Sequence, residues 1–170
     1  MGLYQIFVKE YTDYKQARPN FIDIIKFYYN SVSYRTLVTI RIMKHYSQKG
    51  QLVRATFFKN RLVTKYGFEI GLDTAIGNHI MIPHPTGIVI GKGCIIGDEC
   101  KIYQNVTIGR KNNAYPTIGN NVIIYPGAVV IGGITVGNNV VIGANAVVIT
   151  DLPDNAVVAG IPAEVIRIEN

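Results

Sequence analysis

The chain has 170 residues, of which 48% are hydrophobic, and a net charge of +6. This length suits one domain with a buried core. No uninterrupted apolar run reaches the roughly 18 residues of a membrane-spanning helix, and the first residues lack the apolar core of a signal peptide. The two cysteines, Cys94 and Cys100, lie six residues apart, a spacing that favours neither a disulfide framework nor a metal site. We therefore expect a cytoplasmic protein.

Charge divides the chain into two parts. Residues 1–66 hold 12 Lys and Arg against 3 Asp and Glu, and residues 67–170 hold 5 against 8. In the first part, basic residues are interleaved with aromatic and aliphatic residues at helical spacing, without a motif that binds RNA or DNA. We interpret them as the charged outer face of packed helices and expect no nucleic-acid partner. Peripheral contact with an anionic membrane is the second interpretation.

Residues 1–66 are predicted to form an N-terminal helical segment. Helices are expected from residue 20 onwards, because apolar residues recur there at helical spacings. Asn30 and Ser31 indicate a break between the first two helices, and Ser33 is a candidate N-cap for the second. The third helix is predicted to stop at Gly67.

From residue 70 onwards the aliphatic residues follow a period of six, which neither a helix nor an ordinary strand explains. The in-phase positions are Ile70, Ile76 and Ile82, then Ile90, Ile96, Ile102 and Ile108, then Ile118, Ile124, Val130, Val136, Ile142 and Val148. A short fixed period indicates a stacked repeat, with three segments of six residues to each triangular turn of about 18 residues. The pattern predicts a mainly β protein, with a parallel β-helix of about four to five coils in residues 67–170.

The period breaks twice. Two extra residues lie between Ile82 and Ile90, and four lie between Ile108 and Ile118. A regular prism has no structural need for such insertions, and in repeat proteins they form loops on the binding face. We therefore expect the functional residues at these two insertions.

The repeats resemble those of the left-handed hexapeptide-repeat acyltransferases. "PHPTGIVIGKGCIIGDECKIYQNVTIG" is most similar to the serine O-acetyltransferase branch, and "ANAVVITDLPDNAVVAGIPAEVI" is similar to the closing coil of the family. The helical stretch "NSVSYRTLVTIRIMKHY" resembles the segment before the prism in exopolysaccharide and capsule O-acetyltransferases. The resemblance implies a left-handed β-helix, a homotrimer, and acetyl-CoA bound between neighbouring prisms as the acyl donor.

The resemblance also implies a general base, and the matching residue is His84 in the first insertion. Histidine suits removal of a proton from an acceptor hydroxyl near neutral pH. Direct transfer of this kind needs no nucleophilic Ser or Cys on the enzyme. Glu69 matches the acid that orients the base in the family. The alternatives are a polar His84 on an irregular turn and a solvated Glu69 at the junction with the helices.

For the acyl donor, pantetheine would lie along the prism where small residues leave its backbone accessible. The positions that match the family are Pro126, Gly127, Ala128, Ala144, Asn145, Thr150 and Arg167, the last as a phosphate contact. The alternative for each small residue is ordinary packing between coils.

The acceptor site departs from the serine pattern. Pro83 stands where that branch has an Asp, Tyr115 where it has a His, and Gly71 where it has another His. These losses predict a neutral acceptor, a sugar hydroxyl, and the resemblance of the helical stretch implies surface-polysaccharide biosynthesis. The expected hydrogen-bonding and stacking partners of the sugar are Tyr115, Gln104, Asn112 and Asn113. The alternatives are a serine O-acetyltransferase of cysteine biosynthesis and a non-catalytic scaffold.

The histidines raise the question of a metal site. His79 and His84 are five residues apart, as in a carbonic anhydrase built on a similar prism. A third ligand should lie on a neighbouring coil, but His45 falls within the predicted helices. We therefore expect no metal.

Overall fold

The computed structural model describes residues 2–169. Four helices come first: α1 (Leu3–Lys15), α2 (Phe21–Asn30), α3 (Val32–Gln48) and α4 (Leu52–Tyr66). Fourteen short strands follow: β1 (Glu69–Ile70), β2 (Ala75–Ile76), β3 (Val89–Ile90), β4 (Ile95–Ile96), β5 (Lys101–Ile102), β6 (Thr107–Gly109), β7 (Thr117–Ile118), β8 (Ile123–Ile124), β9 (Val129–Ile131), β10 (Thr135–Val136), β11 (Val141–Ile142), β12 (Val147–Val148), β13 (Ala156–Gly160) and β14 (Ala163–Ile168).

The strands form the three faces of a prism. The first face stacks β1, β3, β6, β9 and β12; the second stacks β2, β4, β7 and β10; the third stacks β5, β8, β11, β13 and β14. Neighbouring strands are parallel except for β13 and β14, which form an antiparallel hairpin at the C-terminal end. The predicted parallel β-helix with a short helical segment is therefore confirmed, and it is consistent with the left-handed form.

The register of the first face shows where the extra residues lie. Paired residues are 18 positions apart in the sequence where the repeat is regular, as for Val89 and Thr107. They are 20 apart for Glu69 and Val89, across the first insertion, and 22 apart for Thr107 and Val129, across the second. The strands keep their alignment in every case, so the extra residues leave the prism at its corners.

The in-phase aliphatic side chains fill the interior of the prism. All of them are buried except Ile76, which is half-buried in the coil nearest the helices. The same hydrophobic cluster includes Leu37, Met43 and Leu62 from the helices. The helices end at Tyr66, but because one cluster spans both parts, the division into residues 1–66 and 67–170 as separate units stays a prediction.

The helical segment differs from its prediction in two respects. Helix α1 was not predicted, and it packs Ile6 and the nearly buried Glu10 against α3. The predicted N-cap of α3 is two residues off, because the hydroxyl of Ser31 accepts the Tyr34 N–H at 3.1 Å. Gly67 ends α4 in the left-handed conformation, as predicted.

Among the residues that the structure describes, no helix combines the length and the apolar character that crossing a membrane requires.

Two cations of α3 cap the first coil, which has no coil beneath it. The Arg41 guanidinium donates to the Ile76 and Gly77 carbonyls, and its Nε donates to Glu10 at 2.6 Å. The Lys44 ammonium donates to three carbonyls at the next corner, which belong to Gly71, Leu72 and Thr74. Since a buried carbonyl without a donor is destabilising, these side chains replace the hydrogen bonds that another coil would supply.

Lys44→Met tests this cap, because it keeps an apolar stem of similar length and removes the ammonium. We expect the free energy of unfolding to fall by about 1–3 kcal/mol, the usual cost of leaving a buried polar group unsatisfied. Urea unfolding followed by circular dichroism measures the change. Lys26→Met, at an exposed position of α2, is the control and should leave stability nearly unchanged.

The same variant carries a pH dependence. Burial lowers the pKa of Lys44 to about 8, whereas the pKa of a lysine in an unfolded chain is about 10.4. Between these values the unfolded chain binds more protons than the folded protein, so wild-type stability rises with pH. The difference in unfolding free energy between wild type and Lys44→Met should therefore grow from about pH 8 to about pH 10. A difference that shrinks over this range would show that the folded protein favours the ammonium and that the pKa of Lys44 is not lowered.

Candidate active site

The first insertion lies on a corner between the third and first faces, which we call the His84 edge. It consists of residues 83–87, 103–105, 125–127 and 143–145. Backbone bonds stack its turns: the Asn105 N–H donates to the Thr86 carbonyl at 3.1 Å, Gly127 donates to Gln104 at 3.0 Å, and Asn145 donates to Pro126 at 2.9 Å. Most of the predicted catalytic and donor-binding residues therefore lie along one continuous edge.

The His84 side chain is exposed at one end of this edge. Prolines flank it on both sides, so φ is fixed at Pro83 and Pro85, and His84 is biased towards extended conformations. The loop is attached at both ends: the Ser33 hydroxyl donates to the Pro83 carbonyl at 2.9 Å, and the Gly87 N–H donates to the Gly67 carbonyl at 2.9 Å. A solvent-facing imidazole on a restrained loop can exchange protons with a bound ligand.

Glu69 begins the first face beside this loop. It pairs with Val89 in the ladder and its carboxylate is exposed. Within residues 2–169, no hydrogen bond or ion pair joins Glu69 to His84. The structure therefore brings the predicted base and its predicted orienting acid to one end of the prism without contact between them.

Small residues continue the edge away from His84. At Gly127, where φ is 73°, a Cβ atom would lie 2.1 Å from Oδ1 of Asn145, so only glycine fits there. Ala144 and Asn145 are exposed, and Pro126 is half-buried. Ala128 differs, because its side chain is fully buried in the prism core. The exposed part of the edge can accept a long, thin ligand against the backbone.

Two tyrosines on the same edge were missed by the sequence analysis. The rings of Tyr103 and Tyr125 stack with centroids 5.3 Å apart and an interplanar angle of 12°. They occupy equivalent positions of the repeat once the second insertion is counted, and this equivalence could have revealed them. Beside them, Oε1 of Gln104 is buried and has no hydrogen-bond partner among residues 2–169.

The second insertion lies on a different corner, between the first and second faces, which we call the Arg110 edge. It consists of residues 71–74, 91–94, 110–116, 132–134 and 149–151. A cavity of about 270 Å³ opens there, lined by Gly91, Lys92, Arg110 and Tyr115. The Tyr115 ring packs against Gly93, and the Arg110 guanidinium donates to Asn113 at 3.2 Å. The cavity therefore combines two cations with an aromatic wall.

The predicted acceptor residues are thus divided between two corners. Gln104 lies on the His84 edge, whereas Tyr115, Asn112 and Asn113 lie on the Arg110 edge. Lys92 and Arg110 were not singled out from the sequence, because nothing in their spacing indicates that they share a cavity. Only the fold brings them together.

The remaining predicted donor contacts lie elsewhere. Thr150 is exposed on the Arg110 edge. Arg167 lies on β14, where its guanidinium is paired with Glu169 at 2.9 Å and both side chains are more than half exposed. Neither residue adjoins the small residues of the His84 edge in a single chain.

The other titratable candidates do not form a site. Nδ1 of His79 lies 3.4 Å from Oδ1 of Asp13 in α1, and His45 lies in α3. In the described part of the chain, no group of three or more His, Cys, Asp or Glu could hold a metal ion. Burial raises the pKa of the Cys94 and Cys100 thiols to about 11, which leaves both as poor nucleophiles near neutral pH.

Comparison with known proteins identifies the repeats. Residues 115–150 match the family model of the bacterial transferase hexapeptide (six repeats). A serine acetyltransferase of Synechococcus elongatus is 45% identical over 111 residues, which cover 63% of this chain and 45% of the relative. One from Staphylococcus aureus is 41% identical over 129 residues, which cover 73% and 60%. The chain spans about half the length of the curated relatives it matches.

Solved structures agree with these relatives. A serine acetyltransferase from Vibrio cholerae superposes with a TM-score of 0.85 at 27% identity, covering 99% of this chain and 67% of that one. A serine acetyltransferase in complex with CoA gives a TM-score of 0.82 at 26% identity, covering 96% and 69%. The similarity extends over the helices as well as the prism.

The prediction of a polysaccharide O-acetyltransferase is wrong, because the relatives and the solved structures named above are serine acetyltransferases. The sugar acceptor and the likeness to the exopolysaccharide and capsule branch are likewise unsupported. The prediction assumed that an amino acid needs charged partners at the matched positions, where this chain has Pro83 and Tyr115. The cavity at Lys92 and Arg110 holds cations at other positions, so the loss of the matched ones does not exclude a charged acceptor. In its repeats and its fold the chain is therefore similar to the bacterial hexapeptide transferases, and along most of its length to serine acetyltransferases.

Proposed function

We propose that the protein is an acetyl-CoA-dependent O-acetyltransferase that transfers the acetyl group to the hydroxyl of serine. The observation that carries this proposal is the His84 edge, where an exposed imidazole on a restrained loop shares one corner of the prism with small residues two and three coils further along. The serine acetyltransferases among the relatives, and the one solved with CoA, support the same acceptor and donor.

His84 is the proposed general base. Its imidazole takes the proton of the serine hydroxyl as that oxygen bonds to the thioester carbonyl carbon. The carbon–sulfur bond then breaks, and the imidazolium returns the proton to the departing thiolate, so that O-acetylserine and CoA result. Glu69 is proposed to orient the imidazole once substrates are bound, since catalytic hydrogen bonds are often formed only in the complex.

The small residues of the His84 edge are the proposed binding surface for the pantetheine arm of acetyl-CoA. Ala144 and Asn145 are exposed, so a thin ligand could lie against them, and they share the edge with His84, with residues 103–105 and 125–127 between. Contacts of Thr150 and Arg167 with the donor stay predictions, because neither lies on this edge.

Lys92 and Arg110 are the proposed partners of the serine carboxylate. A bound amino acid needs opposite charges for its own charged groups, since unpaired buried charges are strongly destabilising. Both cations line one cavity, and neither makes an ion pair within residues 2–169. Because this cavity and His84 lie on different corners, the proposed acceptor site joins the Arg110 edge of one chain with the His84 edge of another.

A homotrimer is therefore part of the proposal. Exposed aliphatic side chains such as Val89 on the first face and Ile95 on the second support it, because neighbouring chains would cover them. A cytoplasmic location and peripheral contact of the basic helices with a membrane stay predictions.

His84→Ala should lower the rate of thiol release from acetyl-CoA and serine by about two to four orders of magnitude, the usual contribution of a general base. The KM for acetyl-CoA should change little, and Glu69→Gln should have a smaller effect on rate. His79→Ala, an exposed histidine outside the edge, should retain activity. Near-wild-type turnover of His84→Ala would show that another group is the base.

Ala144→Leu should raise the KM for acetyl-CoA at least tenfold, a loss of about 1.4 kcal/mol of binding, because a bulky side chain would cover the backbone of the edge. Ala144 is exposed, so the core is not disturbed. Ala144→Ser adds little volume and serves as the matched control. Equal KM values for the two variants would place the donor elsewhere.

Arg110→Gln should raise the KM for serine by about 10- to 100-fold, because a hydrogen bond to a charged group contributes about 1.5–3 kcal/mol. The KM for serinamide, which lacks the carboxylate, should rise far less. The preference for serine over serinamide, measured as the ratio of their kcat/KM values, should therefore fall. Lys111→Gln removes a neighbouring exposed cation that does not line the cavity. If both variants change the preference alike, Arg110 has no specific role.

A further inference from the structure

One hydrogen bond joins the helical segment to the loop that carries His84. The Ser33 hydroxyl donates to the Pro83 carbonyl at 2.9 Å, across a separation of 50 residues, and Ser33 is only 7% exposed. The other α3 side chains that bond to the prism, Arg41, Lys44 and Ser47, reach carbonyls between residues 71 and 77. Ser33 therefore has a different partner from the residues that cap the first coil.

The Ser33 hydroxyl is available for this contact because another residue caps the helix. Ser31 accepts the Tyr34 N–H at the start of α3. Deeper in the helix, the Thr36 and Thr39 hydroxyls donate to carbonyls four residues earlier in the chain, at 2.9 and 2.7 Å, as hydroxyl residues in helices often do. Ser33 instead points away from its helix and into the His84 loop.

The Pro83 carbonyl is an effective point of attachment for His84. A peptide unit is planar, so the Pro83 carbonyl and the His84 nitrogen and Cα lie in one plane. Neither Pro83 nor Pro85 has an N–H to anchor the loop. Later in the loop, Thr86 and Gly87 make backbone bonds to Asn105 and Gly67. Among the described residues, the Ser33 bond is the one that restrains the peptide unit leading into His84.

We infer that Ser33 is a positioning residue for His84. Its hydroxyl fixes the Pro83–His84 peptide plane, and thereby the point from which the imidazole reaches the acceptor hydroxyl. The helical segment then contributes to catalysis as well as capping the prism. This inference rests on the proposed function and assigns the placement of its general base to a residue on a different part of the fold.

Ser33→Ala tests the inference. We expect kcat for serine acetylation to fall by about 10- to 100-fold, since small misplacements of a catalytic group have effects of this size. The KM values for serine and acetyl-CoA should stay within about twofold of wild type, because the binding surfaces are intact. Ser33→Thr keeps the hydroxyl and should restore most of the lost kcat.

Thr36→Val is the matched control, because it removes a buried hydroxyl from the same helix that bonds only within that helix. It should retain wild-type kcat. A merely structural effect would lower the activity of Ser33→Ala and Thr36→Val alike, and that result would overturn the inference.

Amide hydrogen exchange of the peptide containing residues 84–88 gives a second measurement that does not depend on activity. Exchange should be at least tenfold faster in Ser33→Ala than in Thr36→Val, because the loop loses its attachment. Unchanged exchange would overturn the inference.

If Ser33→Ala keeps full kcat while His84→Ala is inactive, the positioning role is wrong and the proposed function stands. If wild type transfers no acetyl group to serine, the proposed function fails, whatever the exchange rates are.

Discussion

The parallel backbone ladder between successive coils is the constraint on which the rest of the structure depends. The backbone N–H and carbonyl groups of each coil form hydrogen bonds with those of the neighbouring coils. In this arrangement the in-phase aliphatic side chains must all point inward. A shift of one residue would turn these side chains outward. Extra residues can therefore leave the prism only at its corners, and both insertions do so. The ladder in this way determines where the chain can carry functional loops.

A ladder also has ends, and the chain closes each end differently. At the C-terminal end, β14 turns back on β13 as an antiparallel strand. At the other end, Arg41 and Lys44 of α3 bind the carbonyls of the first coil, and the core of the prism continues into the helices. The rigid attachment of α3 to the first coil places Ser33 beside the loop of His84. The cap and the candidate site are consequently parts of one interface.

The period of six was sufficient to predict the prism, the inward-facing residues and both insertions, because stacking imposes the same requirement on every coil. Gln104, Pro126 and Ala144 share one edge for the same reason, since they occupy equivalent positions in successive coils. Helix α1 was not predicted, because its polar residues obscure an amphipathic pattern that is stabilised by packing on α3. The position of the α3 N-cap was two residues off, as is common where several serines adjoin a helix start.

The sequence did not favour the proposed serine acceptor over the sugar, because its proposed recognition depends on contacts between distant positions. Matching single positions with a family detected the loss of charged groups at Pro83 and Tyr115. It could not detect that Lys92 and Arg110, on different coils, line one cavity. The partner of Ser33, 50 residues away, was inaccessible for the same reason. Short-range periodicity predicts a repeat fold well, whereas a site assembled across coils and helices requires the three-dimensional structure.

The most direct test of the account is identification of the product. The purified protein, incubated with acetyl-CoA and L-serine, should yield O-acetyl-L-serine and free CoA in equal amounts, measured by mass spectrometry and thiol titration. Equal yields would show that the hydroxyl of serine is the acceptor. Thiol release without O-acetyl-L-serine, or acetylation of serine on its amine alone, would contradict the account.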